Sequence, residues 1–593
     1  MRAGTGSDRR TGSVPQRAEP GPQAGEPSSG GYGDAAPREP PGGTEDEEDD
    51  VADTYNGYCV KCREKRDFDG EVSVSDSGRR MAKGKCPVCG TTKGRIVVVE
   101  AGDEAPAMAR RYALRDRYLQ YGESPWPNDH LDGYEIEGPL QSRSMQVGGL
   151  AMHWGGVTPR WSPEDFRTHS LFGVGTDWPI SYDDLDPFYQ EAEELIGVAG
   201  EQGPAAMDPR SKPFPMAPLP LTYNLGLLKD WASSAGITMW SQPSSKNSRP
   251  YDGRAECCRN DTCTPICPIG AKYSPDHTWN RLRAANRITL YPRTLVRRLV
   301  LDERTQRIAS ADAVQTSKGA GTPVTFRAKQ FVVAAGYVWS AHLLLLSATT
   351  RAPNGIANRS GTVGKYLGGH RNQQAFIELP LRLFPGMNGQ HSLVTKQFMR
   401  TPATTKYLRH DLRVWESSYG RGPRLRDESG ALLLGDDVLR DWRERTTTGV
   451  ARVRAYYDVI PDRESALSLD HSRKNRWGDP LPTLAFRDAP ESAALREYSD
   501  SSLKSLFERM ARAGGGKVIH VEEDDGGFQD HPAGGCRMGS DPQASVVDGW
   551  GRSHDHDNLF VVGAPTCVSA SCANATLTFC ALALRSAHEI GRA

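Results

Sequence analysis

The sequence predicts an α/β protein with a parallel nucleotide-binding sheet. Three short, continuous apolar runs lead directly into small residues: RIVVVEAG, QFVVAAG and NLFVVGA. Runs of this kind are typical of strands that are buried on both faces of a parallel sheet. From Ile96 to the C-terminus, strand and helix patterns alternate with glycine turns. We therefore expect one sheet that is assembled from three distant parts of the chain.

The chain is long enough for two or more domains and is almost neutral. Its 593 residues exceed the roughly 250–300 residues at which a single core stops growing. Its 74 acidic and 73 basic side chains nearly cancel, so no global field attracts nucleic acid or lipid. We find neither a signal peptide nor an apolar run of the roughly 18 residues that cross a membrane. We therefore expect a cytoplasmic protein, which only a partner subunit would export or bring to a membrane.

Two CxxC pairs predict a structural zinc site near the N-terminus. Two thiolates at this spacing bind one metal from a tight turn, and two such turns complete a tetrahedral site without water. Unrelated redox or free thiols are the alternative. The unit around the pairs resembles a small zinc-ribbon family of unknown function, and its basic residues lack the interleaved aromatics of a nucleic-acid site. The expected zinc ligands are Cys59, Cys62, Cys86 and Cys89.

A second cysteine group lies in the segment ECCRNDTCTPICPIGAKYS. Clustered cysteines in a large chain without a signal peptide favour metal or cluster ligation over disulfides. Three thiolates followed by Pro and Gly can hold an iron–sulfur cluster, and a surface loop with a disulfide is the alternative. A third group is interpreted as mostly buried thiols: Cys536, Cys567, Cys572 and Cys580.

From IVVVEAGDE to its end, the chain resembles the glucose–methanol–choline (GMC) oxidoreductases. The motifs VGGLAMHWGG, TLVRRLV, FVVAAGYVWSAHLLLLSA, DHPAGGCRMGSDPQASVVD, NLFVVGAP and NATLT occur in the family's order. The likeness is strongest to the iron–sulfur branch, the large subunits of gluconate, sorbitol, fructose and glucose dehydrogenases, and pyranose oxidases are more distant. It implies FAD and a three-iron, four-sulfur cluster. The implied cluster ligands are Cys257, Cys263 and Cys267, with Cys258 in reserve.

The resemblance also assigns the flavin contacts. Glu100 ends a strand, where a carboxylate can accept hydrogen bonds from both ribose hydroxyls, and the glycines allow the backbone to approach the cofactor closely. His153 either carries the flavin covalently or packs beside Trp154 and the ring. The expected cofactor-binding residues are Glu100, Gly148, Gly149, His153, Trp154, Val296, Ala334, Ala335, Gly336, Gly563, Ala564 and Thr576.

The catalytic residues implied by the resemblance are His531 and Asn574. A near-neutral imidazole can abstract the hydroxyl proton of an alcohol while a hydride leaves its carbon, and an amide can orient the same oxygen. The chain departs from the family pattern at two neighbours, with Gly535 in place of Thr and Ala575 in place of Pro. Three further histidines receive no role and are interpreted as structural or surface residues: His370, His554 and His556.

The chain differs from the family at its start. A family member opens with a strand, a GxGxxG loop and the helix whose N-terminus holds the diphosphate, whereas here the zinc-ribbon unit runs directly into RIVVVEAG. The similar string Gly31-x-Gly33-x-x-Ala36 follows no strand and is rejected as a phosphate loop. The expected fold is α/β, with an FAD-binding Rossmann-like domain whose first βα unit is missing, an α+β substrate domain and an N-terminal zinc ribbon.

The expected domains follow from these motifs. The first segment is rich in Gly, Pro, Ser and charge and cannot bury enough apolar surface to order itself. The domains are a disordered tail (1–52), the zinc ribbon (53–95), FAD-binding segments with the cluster-bearing insertion (96–370), a mainly substrate-binding domain (371–525) and a C-terminal FAD-binding and catalytic segment (526–593).

The resemblance implies an FAD-dependent dehydrogenase that oxidises a CH–OH group of a sugar, polyol or sugar acid. A hydride passes to flavin N5, and electrons leave through the cluster. One alternative is an impaired or mis-assembled fusion of a zinc-ribbon binding module with an incomplete flavin fold, and a second is a pyranose-oxidase-like oxidase. The implied partners are the small-molecule alcohol or sugar, a small chaperone-like subunit and a cytochrome acceptor, and no nucleic acid is expected.

Overall fold

The computed structural model describes residues 54–59, 64–74, 80–84, 96–126, 145–316, 321–384, 391–399, 409–522 and 530–592. The strands are β1 (Thr54–Cys59), β2 (Glu64–Val74), β3 (Arg80–Gly84), β4 (Ile96–Val99), β5 (Trp240–Ser241), β6 (Ile288–Tyr291), β7 (Thr294–Asp302), β8 (Arg307–Gln315), β9 (Thr322–Phe326), β10 (Phe331–Val333), β11 (Gly368–Leu379), β12 (Leu393–Thr395), β13 (His410–Ser417), β14 (Gly449–Asp458), β15 (Ala466–Lys474), β16 (Pro480–Ala485), β17 (Lys517–Glu522), β18 (Asp530–Ala533) and β19 (Leu559–Val561). The α-helices are α1 (Arg111–Tyr121), α2 (Thr168–Phe172), α3 (Tyr182–Ile196), α4 (Tyr223–Ser234), α5 (Pro275–Ala284), α6 (Gly336–Leu346), α7 (Asp436–Arg445), α8 (Pro490–Ala513) and α9 (Thr576–Ile590).

The N-terminal unit is an antiparallel sheet of three strands in the order β1-β2-β3. Cys59, one of the four expected zinc ligands, is the last residue of β1. The other three, Cys62, Cys86 and Cys89, lie outside the described residues, as does the tail. The zinc site therefore stays a prediction.

The three apolar runs form strands, but they lie in two sheets and not in one. β4 pairs in parallel with β6, and β10 pairs in parallel with β19. Within the described part of the chain, no strand lies between these two pairs. Apolar side chains are exposed as a result: 59% for Ile96, 41% for Val97 and 47% for Val332. The single sheet expected from the sequence is thus divided in two.

A second, antiparallel sheet has the order β17-β11-β14-β13-β12-β5, and β18 pairs with the same strand, β11, as β17 does. Helices α4 and α8 cover one face, where Leu228, Ile377, Val453 and Phe507 share an apolar cluster. Successive side chains of a strand point to opposite faces. The intervening residues therefore form the other face, which is buried but polar.

A larger core lies around the second parallel pair. It contains residues of β10, β19, α3, α6 and α9. Helices α3 and α9 meet through a hydrogen bond between the Tyr189 and Thr578 hydroxyls (2.8 Å). Since α9 begins directly after Asn574, this packing fixes the turn in which Asn574 lies. None of the described helices combines the length and the apolar character that crossing a membrane requires.

A buried ion triad connects the antiparallel sheet to the larger core. One nitrogen of Arg409, which precedes β13, donates to Asp165 and to Asp458 at 2.8 Å each. Asp165 also accepts hydrogen bonds from the Ser571 hydroxyl (2.8 Å) and from the Ser162 amide (2.6 Å). Burial raises the pKa of Asp165, and Arg409 opposes this rise. The guanidinium is thus the cation that these carboxylates share.

We predict that Arg409→Met lowers the free energy of unfolding by about 3–5 kcal/mol, because two buried carboxylates lose their shared cation. Urea unfolding followed by tryptophan fluorescence measures the change. The control is Arg298→Met, which opens an exposed pair with Asp312 (side chains 63% and 31% exposed). It should change the free energy by less than about 1 kcal/mol. Equal losses in the two variants would contradict the prediction.

Candidate active site

The structure brings His531 and Asn574 together, although 43 residues separate them in the chain. The Asn574 amide nitrogen lies 3.0 Å from His531 Nε2. His531 lies in β18 with φ +51°, a left-handed conformation that costs a residue other than glycine of order 1–3 kcal/mol. Both side chains are half-buried. The structure thus places the two expected catalytic side chains in direct contact.

Backbone hydrogen bonds fix the turn after His531. The Gly534 amide donates to the Ala564 carbonyl (3.0 Å), and the Gly535 amide donates to the Lys365 carbonyl (3.1 Å). Gly534 has φ +89°, and a Cβ there would lie 2.2 Å from the Tyr366 carbonyl oxygen. Gly535 has φ +94°, so the departure from the family's Thr coincides with left-handed backbone. The catalytic turn therefore packs against the segment that follows β19.

His370 was given no role on sequence grounds, but the structure places it against His531. Its Nε2 lies 3.1 Å from His531 Nδ1, and the ring centroids are 5.0 Å apart. Burial lowers the pKa of His370 well below its usual range, and nearby positive charge lowers it further. No local motif marks this residue, because its position results from the pairing of β11 with β18, in which His370 is opposite Asp530.

The polar face of the antiparallel sheet also went unrecognised in the sequence. It consists of hydrogen-bonded side chains: Arg454 Nε donates to Asn372 (2.8 Å), and Arg452 Nε donates to Gln374 (2.6 Å). The full set that shares this face with His370 is Asn372, Gln374, Asp411, Arg413, Arg452, Arg454, Tyr456 and Asp458. A surface with this many hydrogen-bond donors and acceptors can bind the hydroxyl groups of a ligand.

Three of the expected flavin-binding residues are glycines with left-handed backbone. Gly149, Gly336 and Gly563 all have positive φ, and a Cβ built on Gly149 or Gly336 would meet nothing within 4 Å. Gly336 starts α6 directly after Ala334 and Ala335, and Gly563 precedes Ala564. Helix N-termini and bare backbone are the features that bind a diphosphate. Gly148 differs, because a Cβ there would lie 2.7 Å from Met152 Sδ.

Glu100 lies at the carboxyl end of β4. Its Oε1 accepts a hydrogen bond from the Gly102 amide (2.8 Å), and burial raises the pKa of its carboxyl group to about 7. Ala101 and Trp339 pack against one small cluster of Met145, Leu295 and Val314. The end of β4 and the first turn of α6 therefore lie close together, as two contacts to one nucleotide would require.

The remaining expected contacts are distributed as follows. His153 lies 2.7 Å from Gln146 through its Nε2, and its ring centroid is 5.6 Å from that of Trp126. Trp154 donates its indole N–H to the Tyr273 carbonyl (2.8 Å). Val296 lies in β7 at a β-bulge, and Thr576 is the first residue of α9.

The cysteine segment lies next to the flavin-facing loop. Lys272 is fully buried, and its Nζ donates to the carbonyl oxygens of Trp154 (2.6 Å), Cys263 (2.7 Å) and Met152 (3.3 Å). Burial lowers the pKa of Lys272 to about 8, and the thiols of Cys263 and Cys267 partly offset this shift. Lys272 thus connects the loop around His153 to the cysteine segment.

The thiols of the three expected cluster cysteines lie close enough to influence one another electrostatically. Cys263 and Cys267 are buried, Cys257 is half-buried, and Cys258 is exposed. Burial raises the pKa of Cys257, and the other two thiols raise it further, whereas Lys246 lowers it. These four cysteines are free thiols. In the third group, Cys536, Cys567 and Cys572 are buried and Cys580 is half-buried, in agreement with the interpretation as mostly buried thiols.

Two parts of the chain match one family. Residues 232–372 and 461–583 match the N- and C-terminal models described as "GMC oxidoreductase". Residues 58–96 match "Domain of unknown function (DUF5679)". The latter range corresponds closely to the expected N-terminal unit.

Curated relatives match over most of their length. The "Fructose dehydrogenase large subunit" of Gluconobacter japonicus is 33% identical over 77% of this chain and 83% of the relative. The "2-methyl-1,2-propanediol dehydrogenase" of Mycolicibacterium austroafricanum is 28% identical over 75% and 80%, respectively. The "Gluconate 2-dehydrogenase flavoprotein" of Pantoea cypripedii is 26% identical over 70% and 74%.

Among solved structures, pyridoxine 4-oxidase from Mesorbium loti aligns with a TM-score of 0.53. The alignment covers 84% of this chain and 95% of that protein at 18% identity. This likeness shows the mixed α/β fold and does not bear on activity.

We predict that FAD affinity depends on the ionisation of Glu100. A carboxylate accepts both ribose hydroxyls only when it is deprotonated, and its pKa of about 7 leaves it neutral at lower pH. Affinity should therefore weaken by roughly tenfold for each pH unit below 7 and level off above it. Glu100→Gln should bind weakly at every pH.

Flavin fluorescence titrations between pH 5 and 9 measure this dependence. Glu104→Gln is the matched control, because Glu104 is exposed and pairs with Arg283 at the surface. It should keep the wild-type profile. A wild-type profile in Glu100→Gln would show that another group controls the binding of FAD.

Proposed function

The chain belongs to the GMC oxidoreductase family and is an FAD-dependent oxidoreductase that acts on CH–OH donors, and we propose that its substrate is a sugar, polyol or sugar acid. The observation that carries this proposal is the polar face beside the catalytic pair, in which Asn372 and Gln374 are buried and Arg454 is half-buried. These side chains form hydrogen bonds with the sheet around them, and a polyhydroxylated substrate can form hydrogen bonds with several of them, whereas a substrate with one hydroxyl can engage few. The relatives named for fructose and gluconate support the same substrate class.

His531 is the proposed general base. Its Nε2 accepts the proton of the substrate hydroxyl, and the Asn574 amide, 3.0 Å away, donates to the same oxygen and holds it in place. When bound, FAD supplies the acceptor for the hydride that leaves the substrate carbon. The residues proposed to hold FAD are Glu100, Gly148, Gly149, His153, Trp154, Val296, Gly336, Gly563, Ala564 and Thr576.

We further propose that Cys257, Cys263 and Cys267 hold a three-iron, four-sulfur cluster. The support is electrostatic, because Lys246 and Lys272 are both fully buried beside these thiols. Buried cations require nearby anions, and a thiolate-ligated cluster supplies them. A cluster next to the flavin loop favours a dehydrogenase over the oxidase alternative. The name "large subunit" of one relative is consistent with a small subunit as partner, and a cytochrome is the proposed electron acceptor.

A second candidate is a catalytically impaired fusion, which the divided parallel sheet favours. Ile96, Val97 and Val332 are exposed where a family member is expected to have its first strand and phosphate loop. Such a chain would keep the zinc-ribbon unit, for which we propose structural zinc on Cys59, Cys62, Cys86 and Cys89, but would bind FAD poorly.

We predict that the purified chain shows a flavin absorbance band, with or without added FAD, and that a sugar, polyol or sugar acid bleaches it. No band in excess FAD would favour the impaired fusion. Bleaching with peroxide formation would favour the oxidase. His531→Ala should keep the band and lower kcat by roughly 10²–10⁴-fold, because the general base is lost. His471→Ala, which changes an exposed histidine of β15, is the control and should keep wild-type kcat.

We predict that metal analysis finds both zinc and iron in the protein. Cys257→Ser should lose most of the iron and the cluster's electron paramagnetic resonance signal, because one of three ligands is removed. Cys258→Ser should keep both, since that thiol is exposed. Zinc should be unchanged in both variants. If Cys258→Ser lost its iron and Cys257→Ser kept it, Cys258 and not Cys257 would be the cluster ligand. Zinc without iron in the wild type would refute the cluster.

A further inference from the structure

We propose that His370 is a positioning residue that fixes the tautomer of His531, so that the lone pair of His531 Nε2 points to the substrate oxygen. The inference rests on the proposed function of His531 as general base. It follows from a chain of hydrogen-bonding groups that begins at Asn574, passes through His531 and ends at His370.

The hydrogen bond from Asn574 determines which nitrogen of His531 carries the proton. An amide NH₂ group only donates, so His531 Nε2, at 3.0 Å, must accept and carries no proton. A neutral imidazole holds one proton, which must then be on Nδ1. His531 Nδ1 therefore donates to His370 Nε2 across 3.1 Å.

The position of the His370 proton follows from the same hydrogen bonds. Because His370 Nε2 accepts from His531, the one proton of a neutral His370 ring is on Nδ1. That nitrogen is buried and forms no hydrogen bond to a described residue, and the Ser571 backbone raises the pKa of the ring. The hydrogen bond from Asn574 thus specifies the tautomers of both rings.

His370 cannot itself take the proton that His531 removes. It is completely buried, and the nearby arginines Arg413 and Arg454 lower its pKa. Both guanidinium groups lie over the ring of Tyr456, whose centroid is 4.9 Å from that of His370. Asp411 forms two hydrogen bonds with Arg413, and Asp458 is opposite His370 in the ladder but pairs with Arg409. The positive charge therefore stays on His531, whose Nδ1–H continues to donate to a neutral His370.

The direct test is nuclear magnetic resonance of the chain labelled with ¹⁵N at its histidines. The signals of His531 are assigned by their loss in His531→Asn. In the wild type, Nδ1 should be protonated and Nε2 should not. The spectra are recorded on the flavin-free chain, so they test the inference even if the proposed function fails. A proton on Nε2 in the wild type would overturn it.

A matched pair of variants separates positioning from packing. His370→Gln keeps an acceptor oxygen near the site of Nε2, whereas His370→Leu fills similar volume without one. The leucine variant should change the His531 tautomer and lower kcat by roughly 10²-fold or more, with KM within roughly threefold, since the base then presents an N–H to the substrate. The glutamine variant should keep the wild-type tautomer and stay within roughly tenfold of wild-type kcat.

Equal losses in both variants, with an unchanged tautomer, would show that His370 only packs. If the leucine variant does not fold, the wild-type tautomer and the glutamine variant decide the question. If the tautomer is as expected but no substrate is oxidised, the inference holds and the proposed function fails.

Discussion

The arrangement of the catalytic groups depends on one guanidinium, that of Arg409, which two buried carboxylates share. Arg409 directly precedes β13 of the antiparallel sheet, whereas Asp165 belongs to the turn that precedes α2. Asp165 also binds the Ser571 hydroxyl, three residues before Asn574. The triad thereby fixes the turn that supplies the amide of the catalytic pair. Because the ions are buried, the sheet and the turn cannot separate without exposing an uncompensated charge.

Two additional contacts make this turn rigid. Ser571 has φ +57°, and α9 begins at Thr576, so the turn is short and its ends are fixed. From the other side, β18 brings His531 to the edge of β11, and the left-handed conformation of His531 directs its ring between His370 and Asn574. The catalytic pair is therefore supported by three separate segments, and its distance is set by tertiary packing and not by any local motif.

The sequence predicted the elements of the fold and site that depend on local pattern. The apolar runs became β4, β10 and β19, and His531 lies next to Asn574, whereas the roles of this pair and of the expected cluster cysteines stay predictions. What it missed depends on pairing between distant strands. His370 and Asn372 lie in a continuous polar run of β11, residues 370–374, so no alternation of polar and apolar residues indicates which side chains will face His531. The single sheet was likewise expected from the composition of the three strands. Its division into two sheets depends on which strands pair with each other, which composition does not determine.

The divided sheet changes how the chain must hold FAD. In a complete fold, a helix N-terminus after the first strand supplies amide groups to the diphosphate. Within the described residues, the proposed replacements are the start of α6 at Gly336 and the backbone at Gly149, where an added Cβ would meet nothing within 4 Å. Burial keeps Glu100 largely neutral below pH 7, so the ribose contact also weakens there. Since a ligand stabilises only the state it binds, FAD would contribute more to the folding of this region than it does in a complete sheet. Cofactor binding and the ordering of β4 and β10 should therefore be coupled.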